Sequence, residues 1–348
     1  MKSKFKLVTM LFVLGVLSLG IKATAEEKTK EYNEAWAASS VQNIRIINKF
    51  GEIKINNEGG SDVTIDVVIT VDAPNEQKAN ELLDYIEVDF KKSGNNITAE
   101  TKIDKGFKSR QEFSIDYTIN IPTDKNLDIS NKYGNTIINE LNANGNFDIE
   151  HGSFVANRLN SSSSENMKLK LAYGKADISS TNHMDIEVGY SPVNIGEAEN
   201  LKIESKYSVL KIEESKEVSV TSKYDTFEFE ETESISGSAK YSHFKVEELK
   251  KNLNIDAGYG GISIEEVSKD FESISIENSY GQIKLGLDEA SYMLDASCNY
   301  CGISYPENNF SGDKIKDNQT RIVKGKVGSG NGGNVYIRSK YGEIKLKK

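Results

Sequence analysis

The chain has 348 residues, a formal net charge of −10 at neutral pH and a sequence pI near 5.1. This acidic balance argues against a nucleic-acid partner, because binding to phosphates needs a basic surface. Four prolines argue against a Pro-rich stalk, and two cysteines are too few for a disulfide-rich scaffold. The length suits one long domain or two ordinary ones.

Residues 1–25 have the organisation of a secretory signal peptide. Lys2, Lys4 and Lys6 form a basic start, residues 7–20 are apolar, and Ala-Thr-Ala at 23–25 is a small-x-small cleavage signal. The alternative is a membrane anchor, but a spanning helix needs about 20 apolar residues. We therefore expect an exported protein, located in the periplasm, at the cell surface or outside the cell. No transmembrane segment is expected after the signal is removed.

Residues 26–125 are predicted to form an N-terminal β-rich region that contains a first repeat (44–55) and one helix. The polar residues 26–40 suggest a flexible lead-in. Alternating β-branched residues predict a strand over 62–71, and Asp72 and Pro74 suggest a helix start. The helix itself is predicted at about 75–86, with Ala79, Leu82, Leu83 and Ile86 on one face.

Three further strands are predicted before residue 125. Segments 86–91 and 97–103 alternate in polarity and are joined by a turn-forming sequence at 93–96. Segment 113–121 alternates as well and ends at Pro122. Residues 126–348 are then predicted to be a repeat domain, with a loop insertion near 306–334.

A short repeat unit dominates this second part of the chain. Relative to a central aromatic residue, apolar side chains lie at −6, −4, +3 and +5, and the +1 residue is most often glycine. Successive centres from Tyr133 to Tyr300 are 17 to 22 residues apart. The twelve central residues are Phe50, Tyr133, His151, Tyr173, Tyr190, Tyr207, Tyr224, Tyr241, Tyr259, Tyr280, Tyr300 and Tyr341.

The parity of the repeat predicts a corner at the central residue. Positions −6 and −4 face one way on a strand, whereas +3 and +5 have the opposite parity, so the chain must turn between them. Glycine at +1 suits a corner that needs an unusual backbone conformation. Two short strands per fixed period predict an all-β, parallel β-solenoid of 17–22-residue coils. Propeller blades need about 40 residues, and a sandwich would not keep one register.

The open ends of such a solenoid need covering, because exposed sheet edges invite association. We expect residues 58–125 to cover one end. The final repeat, with Lys345, Lys347 and Lys348, and the loop near 306–334 are expected to cover the other end.

Stacked coils would bring the twelve central residues into one ladder along a corner. One interpretation is structural packing of the rings, with His151 in place of one ring. The other is an aromatic strip that binds a flat ligand such as a carbohydrate. Packing is the interpretation that we favour from the sequence.

No residue pattern predicts a catalytic, cofactor-binding or metal site. Cys298 and Cys301 have the spacing of a thiol redox motif, but such cysteines favour helix starts, so free thiols or a local disulfide are the two options. Two cysteines and three scattered histidines do not make a zinc site. Acidic residues lie mostly at outward positions, and no pair of them stands out; examples are Glu228, Glu230 and Glu247.

Four stretches carry a family resemblance: NKFGEIKI at 48–55, IPTDKNLDI at 121–129, NKYGN at 131–135 and GKVG at 325–328. With these the chain resembles exported bacterial proteins of unknown function that have a β-solenoid fold and the family name "putative adhesin". The resemblance implies that fold over nearly the whole exported chain. It implies adhesion through the name alone, and it assigns no adhesive residue.

The sequence therefore favours an exported, non-enzymatic binding or structural protein without a cofactor. Its partner is expected to be a glycan or a cell-surface protein. One alternative is a polysaccharide lyase or hydrolase, which a cleft with close carboxylates would support. The other is an envelope scaffold that assembles end to end.

Overall fold

The computed structural model describes residues 26–57, 60–108, 110, 112–161, 165–287 and 289–346. The predicted signal peptide lies outside these ranges. Within them, 26 strands join one continuous sheet and one α-helix lies beside it. The predicted all-β, parallel solenoid is confirmed.

The N-terminal region contains the first seven strands and the helix. Their bounds are β1 (Glu26–Ala37), β2 (Asn43–Lys49), β3 (Ile53–Asn56), β4 (Asp62–Ala73), α1 (Glu76–Asp84), β5 (Ile86–Ser93), β6 (Asn96–Ile103) and β7 (Phe113–Asn120). A single 3₁₀ turn at Ala38–Ser40 follows β1.

The first coil contains β2 and β3, which pair with β8 and β9, and the chain from β8 onward continues the stack. The first nine strands of this part are β8 (Asn126–Lys132), β9 (Thr136–Leu141), β10 (Gly145–Glu150), β11 (Ser153–Leu159), β12 (Met167–Ala172), β13 (Lys175–Gly189), β14 (Pro192–Lys206), β15 (Val209–Lys223) and β16 (Thr226–Lys240). The remaining strands are β17 (His243–Gly258), β18 (Ile262–Val267), β19 (Ser273–Ser279), β20 (Ile283–Leu285), β21 (Tyr292–Asn299), β22 (Ile303–Ser304), β23 (Phe310–Asp317), β24 (Thr320–Val327), β25 (Asn334–Lys340) and β26 (Ile344–Lys345).

The continuous sheet bends at the central aromatic residue of each coil, so its parallel strands form two parts, which we call the pre-corner sheet and the post-corner sheet. The pre-corner sheet contains the strands that lead to that residue, and the post-corner sheet contains those that follow it. In the pre-corner sheet Leu201 pairs with Val218, which is the equivalent residue one coil later. In the post-corner sheet Ile195 pairs with Ile212 in the same way. Strands β13 to β17 are long because each continues around the remaining side of its coil.

The core is a stack of inward columns. Ile203 is fully buried at −4, and Leu210 and Ile212 are buried at +3 and +5. A further inward column lies at +8, a position that the repeat pattern does not predict to be in the core. Its members are apolar or small polar residues, and the hydroxyls of Ser215 and Thr232 bond at 2.9 Å. The whole column is Leu141, Leu159, Thr181, Ala198, Ser215, Thr232, Leu249 and Val267.

Two expectations for the N-terminal region are wrong. The predicted flexible lead-in is β1, a strand that pairs antiparallel with β4 over its whole length. It is ordered because Tyr32 and Trp36 on one of its faces pack against Phe90, with ring centroids 6.2 and 6.4 Å apart. The helix is capped by Asn75, whose side chain accepts from the backbone N–H of Lys78 at 2.9 Å, and not by Asp72.

Strands of the N-terminal region cover the first end of the rod. Strand β6 pairs with β2 at the edge of the pre-corner sheet, and β7 pairs with β3 at the edge of the post-corner sheet. Beyond β7, β4 and then β1 add two antiparallel strands. Ala79, Leu82 and Leu83 of α1 are buried, as the sequence predicts.

The order of coils at the second end differs from the expectation. The last strands in sequence, β25 and β26, do not lie outermost; β25 pairs with both β19 and β21, and β26 pairs with both β20 and β22. The predicted loop near 306–334 contains the hairpin β23–β24, and β24 pairs antiparallel with β21. The hairpin therefore covers this end, and the final repeat fills a position one coil inside it.

Candidate functional site

The twelve central residues form one continuous aromatic ladder along the corner between the two sheets. Neighbouring ring centroids are 4.7–5.2 Å apart, and the ring planes are inclined by 1–18°. His151 stacks between Tyr133 and Tyr173. Tyr341 stacks between Tyr280 and Tyr300, which matches the inserted position of the last coil.

Stacking determines which parts of these rings a ligand could reach. The ten tyrosines of the aromatic ladder keep 40–54% of their surface exposed. Every internal ring, however, has a neighbouring ring against each face, so the exposed part is the ring edge and the hydroxyl. A sugar that stacks on an aromatic side chain needs an open ring face. The interior of the ladder does not offer one.

The unusual backbone conformation lies at the central residue and not at +1. All twelve residues of the aromatic ladder have positive φ, between 54° and 65°. The expectation of unusual dihedrals at the +1 glycines is therefore wrong, and those glycines are needed for another reason. A Cβ on Gly134 would lie 1.8 Å from the carbonyl oxygen of Gly51, one coil away. Successive corners approach too closely for a side chain there.

Four middle coils carry serine or aspartate at +1, and their side chains bond to the preceding coil. The hydroxyl of Ser191 accepts from the backbone N–H of Gly174 at 3.0 Å. The buried carboxylate of Asp225 accepts from the backbone N–H of Ser208 at 2.7 Å and from the hydroxyl of Ser222 at 2.7 Å. The bonds from Gly174 and Ser208 link one corner to the next and hold the coils in register, whereas the bond from Ser222 lies within the corner of Asp225.

Cys298 and Cys301 lie at −2 and +1 of the outermost corner, around Tyr300. The structure joins them by a disulfide, with Cα atoms 5.5 Å apart. Cys298 is buried, and the α-helix of the described residues, α1, lies in the N-terminal region and does not begin near the pair. The disulfide is therefore a local cross-link between the two sides of one corner.

A lysine column borders the aromatic ladder on the pre-corner sheet. It contains Lys206, Lys223 and Lys240, which occupy the −1 position in three successive coils and are all exposed. Lys206 pairs in register with Lys223, and Lys223 with Lys240. The column is not among the sites predicted from the sequence, although the dipeptide Lys-Tyr recurs there at intervals of 17 residues.

A shallow groove of about 350 Å³ lies on the post-corner sheet. Gly196 and Ser179 leave room at +6, while the next coils place Glu213, Glu230 and Glu247 there. These three carboxylates are exposed. Lys211 and Lys245 also line the groove, and their ammonium groups lie 3.0 Å from a Glu228 oxygen and 3.7 Å from a Glu247 oxygen.

The two remaining histidines, His183 and His243, do not lie near each other. His183 in β13 bonds through Nδ1 to the side-chain amide of Asn200 at 2.9 Å, whereas the exposed His243 begins β17, four strands further along the stack. Among the described residues, no group of three or more His, Cys, Asp or Glu side chains is arranged to hold a metal ion. The described part of the chain also has no helix that is long and apolar enough to cross a membrane.

No family model and no curated protein matches the chain. Among solved structures, the chain is similar to a "putative cell adhesion protein" from Clostridium sporogenes. That structure has 11% identity and a TM-score of 0.22, with 92% of this chain and 99% of that chain covered.

Two further similar structures are each named "putative adhesin". The one from Bacteroides fragilis has 18% identity and a TM-score of 0.34, with 74% of this chain and 97% of that chain covered. The one from Parabacteroides distasonis has 13% identity and a TM-score of 0.34, with the same coverage of 74% and 97%. They carry the same adhesin name as the family that the sequence resembles. At these values the similarity carries no argument, and the fold described above rests on the strand pairings of this chain.

Proposed function

We propose that the chain is an exported, non-enzymatic rod that binds an extended partner in the cell envelope or outside the cell. The continuous aromatic ladder carries this proposal, because it fixes one register over twelve coils. Outward side chains of successive coils then repeat at about 4.8 Å along the rod. A linear polymer can contact such a surface at several equivalent points.

In this proposal the aromatic ladder is scaffold and the outward sheet faces are the binding surface. Face-to-face stacking explains why one ring type recurs at one corner without any role in ligand contact. Stacked rings contribute about 0.5–1.5 kcal/mol per pair beyond the area that they bury. The disulfide of Cys298 and Cys301 is likewise proposed to be structural.

A binding panel with the purified chain from residue 26 onward tests the proposal. Glycan arrays and immobilised matrix proteins are probed with the folded protein and with a heat-unfolded sample as control. We expect binding to at least one linear polymer, with loss of the signal on unfolding. Failure to bind any glycan or matrix protein in the folded state would contradict a binding role.

A second candidate is cleavage of an acidic or neutral polysaccharide, which the groove with Glu213, Glu230 and Glu247 favours. Glycosidases use two carboxylates, one of which is held in apolar surroundings so that it stays protonated. The three exposed carboxylates have no such enclosure. Incubation of the protein with a polysaccharide panel, followed by measurement of new reducing ends, separates cleavage from binding. New ends that disappear in a Glu230→Gln variant would establish the enzyme.

A further inference from the structure

We infer that the lysine column and the hydroxyl-bearing surface beside it bind a linear carboxylated polysaccharide, a polyuronate, laid along the rod. The inference rests on the proposed function and names the partner class for it. The site consists of the lysine column and of hydroxyl side chains on two of its coils, Ser219 and Thr221 beside Lys223, and Ser236 and Ser238 beside Lys240.

The charge of this surface is not neutralised by an ion pair among the described residues, although the Lys223 ammonium lies 5.8 Å from the ring centroid of Tyr224. Lys206, Lys223 and Lys240 form no ion pair with any described residue, on a chain whose net charge is −10. Other lysines of the pre-corner sheet lie near an acid in the next coil: Lys132 bonds Glu150, and Lys170 lies 3.7 Å from Glu187. Like charges in register about 4.8 Å apart repel each other, so the column favours a bound anion.

The column is narrow and has defined ends. The residues in register beyond it are Gly189 on one side and Gly258 on the other. The adjacent columns present small hydroxyl side chains, since Ser219 pairs with Ser236 and Thr221 pairs with Ser238. Two exposed acids flank the strip in these columns: Glu204, which lies 3.8 Å from the ammonium group of Lys202, and Asp256, which pairs in register with Ser238. The result is a flat, positively charged strip.

The backbone beneath the strip is held rigidly. The N–H groups of Tyr207 and Tyr224 donate to the carbonyls of Lys223 and Lys240 at 3.2 and 3.0 Å. The hydroxyl of Ser208 donates to the carbonyl of Lys206 at 3.1 Å. The three lysine stems therefore start from fixed points, and binding does not have to order the backbone.

The chemistry of the strip fits a polyuronate better than a single-stranded nucleic acid. A polyuronate laid along the rod carries a carboxylate on every sugar, and those that face the strip can pair with the flexible ammonium groups of the column. The serine and threonine hydroxyls can bond to sugar hydroxyls. Single-stranded nucleic acids gain much of their affinity from bases that stack on open aromatic faces. The faces of Tyr207, Tyr224 and Tyr241 are covered by their neighbours in the aromatic ladder.

The test compares two triple variants of the chain from residue 26 onward. K206Q/K223Q/K240Q removes the lysine column. K211Q/K216Q/K245Q removes the same charge from lysines that lie elsewhere near Glu228, Glu199 and Glu247. Titration calorimetry measures binding of polygalacturonate and of its fully methyl-esterified form, which has the same backbone without the charge. Circular dichroism and thermal melting establish that both variants are folded.

We expect the unmodified protein and the control variant to bind polygalacturonate, and the methyl ester to bind neither. Loss of three exposed charge contacts should weaken binding of the column variant about tenfold. Its remaining affinity should also depend less on salt, because fewer charges are screened.

Three results would overturn the inference. The first is equal affinity of the two variants, and the second is equal binding of the methyl ester. The third is that inorganic polyphosphate or RNA binds the column as tightly as polygalacturonate does, which would make it a general anion surface. If the binding panel finds a partner while polygalacturonate does not bind at all, the inference fails and the proposed function stands.

Discussion

At the scale of single residues, the aromatic ladder holds a backbone conformation that side chains normally avoid. Left-handed backbone costs an L-residue about 1–2 kcal/mol. An internal ring contacts two neighbours, and each stacked pair stabilises the fold by about 0.5–1.5 kcal/mol. The two terms are similar in size, so stacking can hold the corner without a glycine at the central position.

This balance predicts an unusual order of stability for two variants of Tyr207, with glycine more stable than alanine. Both Tyr207→Ala and Tyr207→Gly lose the stacking on Tyr190 and Tyr224. Alanine keeps the strain at φ 54°, whereas glycine adopts this conformation freely. The alanine variant should therefore be less stable than the glycine variant by about 1 kcal/mol, measured by urea unfolding. A more stable alanine variant would contradict the strain argument.

The +1 glycines predict a second pair of variants. Gly134→Ala places a Cβ 1.8 Å from the carbonyl oxygen of Gly51 and should force two coils apart. Overpacking of this kind costs about 3 kcal/mol. Gly258→Ala is the matched control, since nothing lies within 4 Å of its Cβ position. Thermal melting should show a large decrease for the first variant and little change for the second, and equal melting would refute the close approach.

A buried phenol gives the N-terminal region a predicted pH dependence. Burial raises the pKa of Tyr117, whose hydroxyl lies 2.8 Å from the hydroxyl of Thr101. A group with a raised folded-state pKa stabilises the protein fully below its unfolded pKa of about 10, and this stability is lost as the pH rises further. Unfolding by urea between neutral and alkaline pH should show that loss. In Tyr117→Phe the alkaline loss should be smaller; parallel pH curves would contradict the prediction.

At the scale of elements, the position of the last coil is the main feature that the sequence pattern did not predict. The twelve repeats share nearly all of their apolar positions (Thr136 at +3 and Gly237 at −4 are among the exceptions), so the pattern does not select one order of stacking. The order is set by the connections, because the hairpin β23–β24 carries the chain past the outermost coil and returns it through residues 328–333. Four glycines in this return segment, two of them with positive φ, allow the reversal.

The inserted coil predicts the effect of shortening the chain. A protein that ends at residue 333 loses β25 and β26, which leaves β19 and β21 without a common neighbour. Hydrogen exchange should increase in residues 273–304 and remain unchanged in residues 167–240, which serve as the internal control. A synthetic peptide of residues 334–346 should restore protection. Unaltered exchange in 273–304 would mean that the last coil is not inserted there.

The sequence predicted the fold well and the surface poorly, for physical reasons. Core columns such as Ile203 and Ile212 follow from strand parity, which is a local property. Glycine is needed at Gly134 because the corner there contacts another coil. That contact is not visible in the sequence pattern, which suggested unusual dihedrals instead. The lysine column is visible as a recurring Lys-Tyr dipeptide. Its significance depends on the register, which makes Lys206 and Lys223 neighbours, and on the lack of an ion pair to either lysine within the described ranges.

At the scale of the whole molecule, both ends of the rod are covered by antiparallel strands. At the second end the outermost strand, β23, is nearly all exposed and contains Asp313, Lys314, Lys316 and Asp317. Charged residues on an edge strand hinder pairing with another sheet. The chain from residue 26 onward should therefore remain monomeric, and light scattering across a range of concentrations measures this. Growth of the particle mass with concentration would favour the scaffold alternative.

Removal of the N-terminal strands that cover the first end of the rod is predicted to make the protein associate. A chain that starts at residue 127 lacks β1 to β7 and exposes the edges of β8 and β9. We expect this truncated protein to aggregate, because both edges offer unpaired backbone groups. The chain from residue 26 onward is the control at the same concentration. A soluble, monomeric truncated protein would show that the N-terminal strands are not a cover.

The claim that the aromatic ladder is scaffold while the outward face binds is tested most directly by one comparison of polymer binding. Replacement of Tyr207, Tyr224 and Tyr241 together by phenylalanine keeps the stacked rings and removes only their hydroxyls. Affinity for polygalacturonate is then measured beside that of K206Q/K223Q/K240Q under identical salt. The account predicts unchanged binding for the phenylalanine variant and about tenfold weaker binding for the lysine variant. Lost binding in the phenylalanine variant, with full binding in the lysine variant, would place the site on the aromatic ladder and contradict the account.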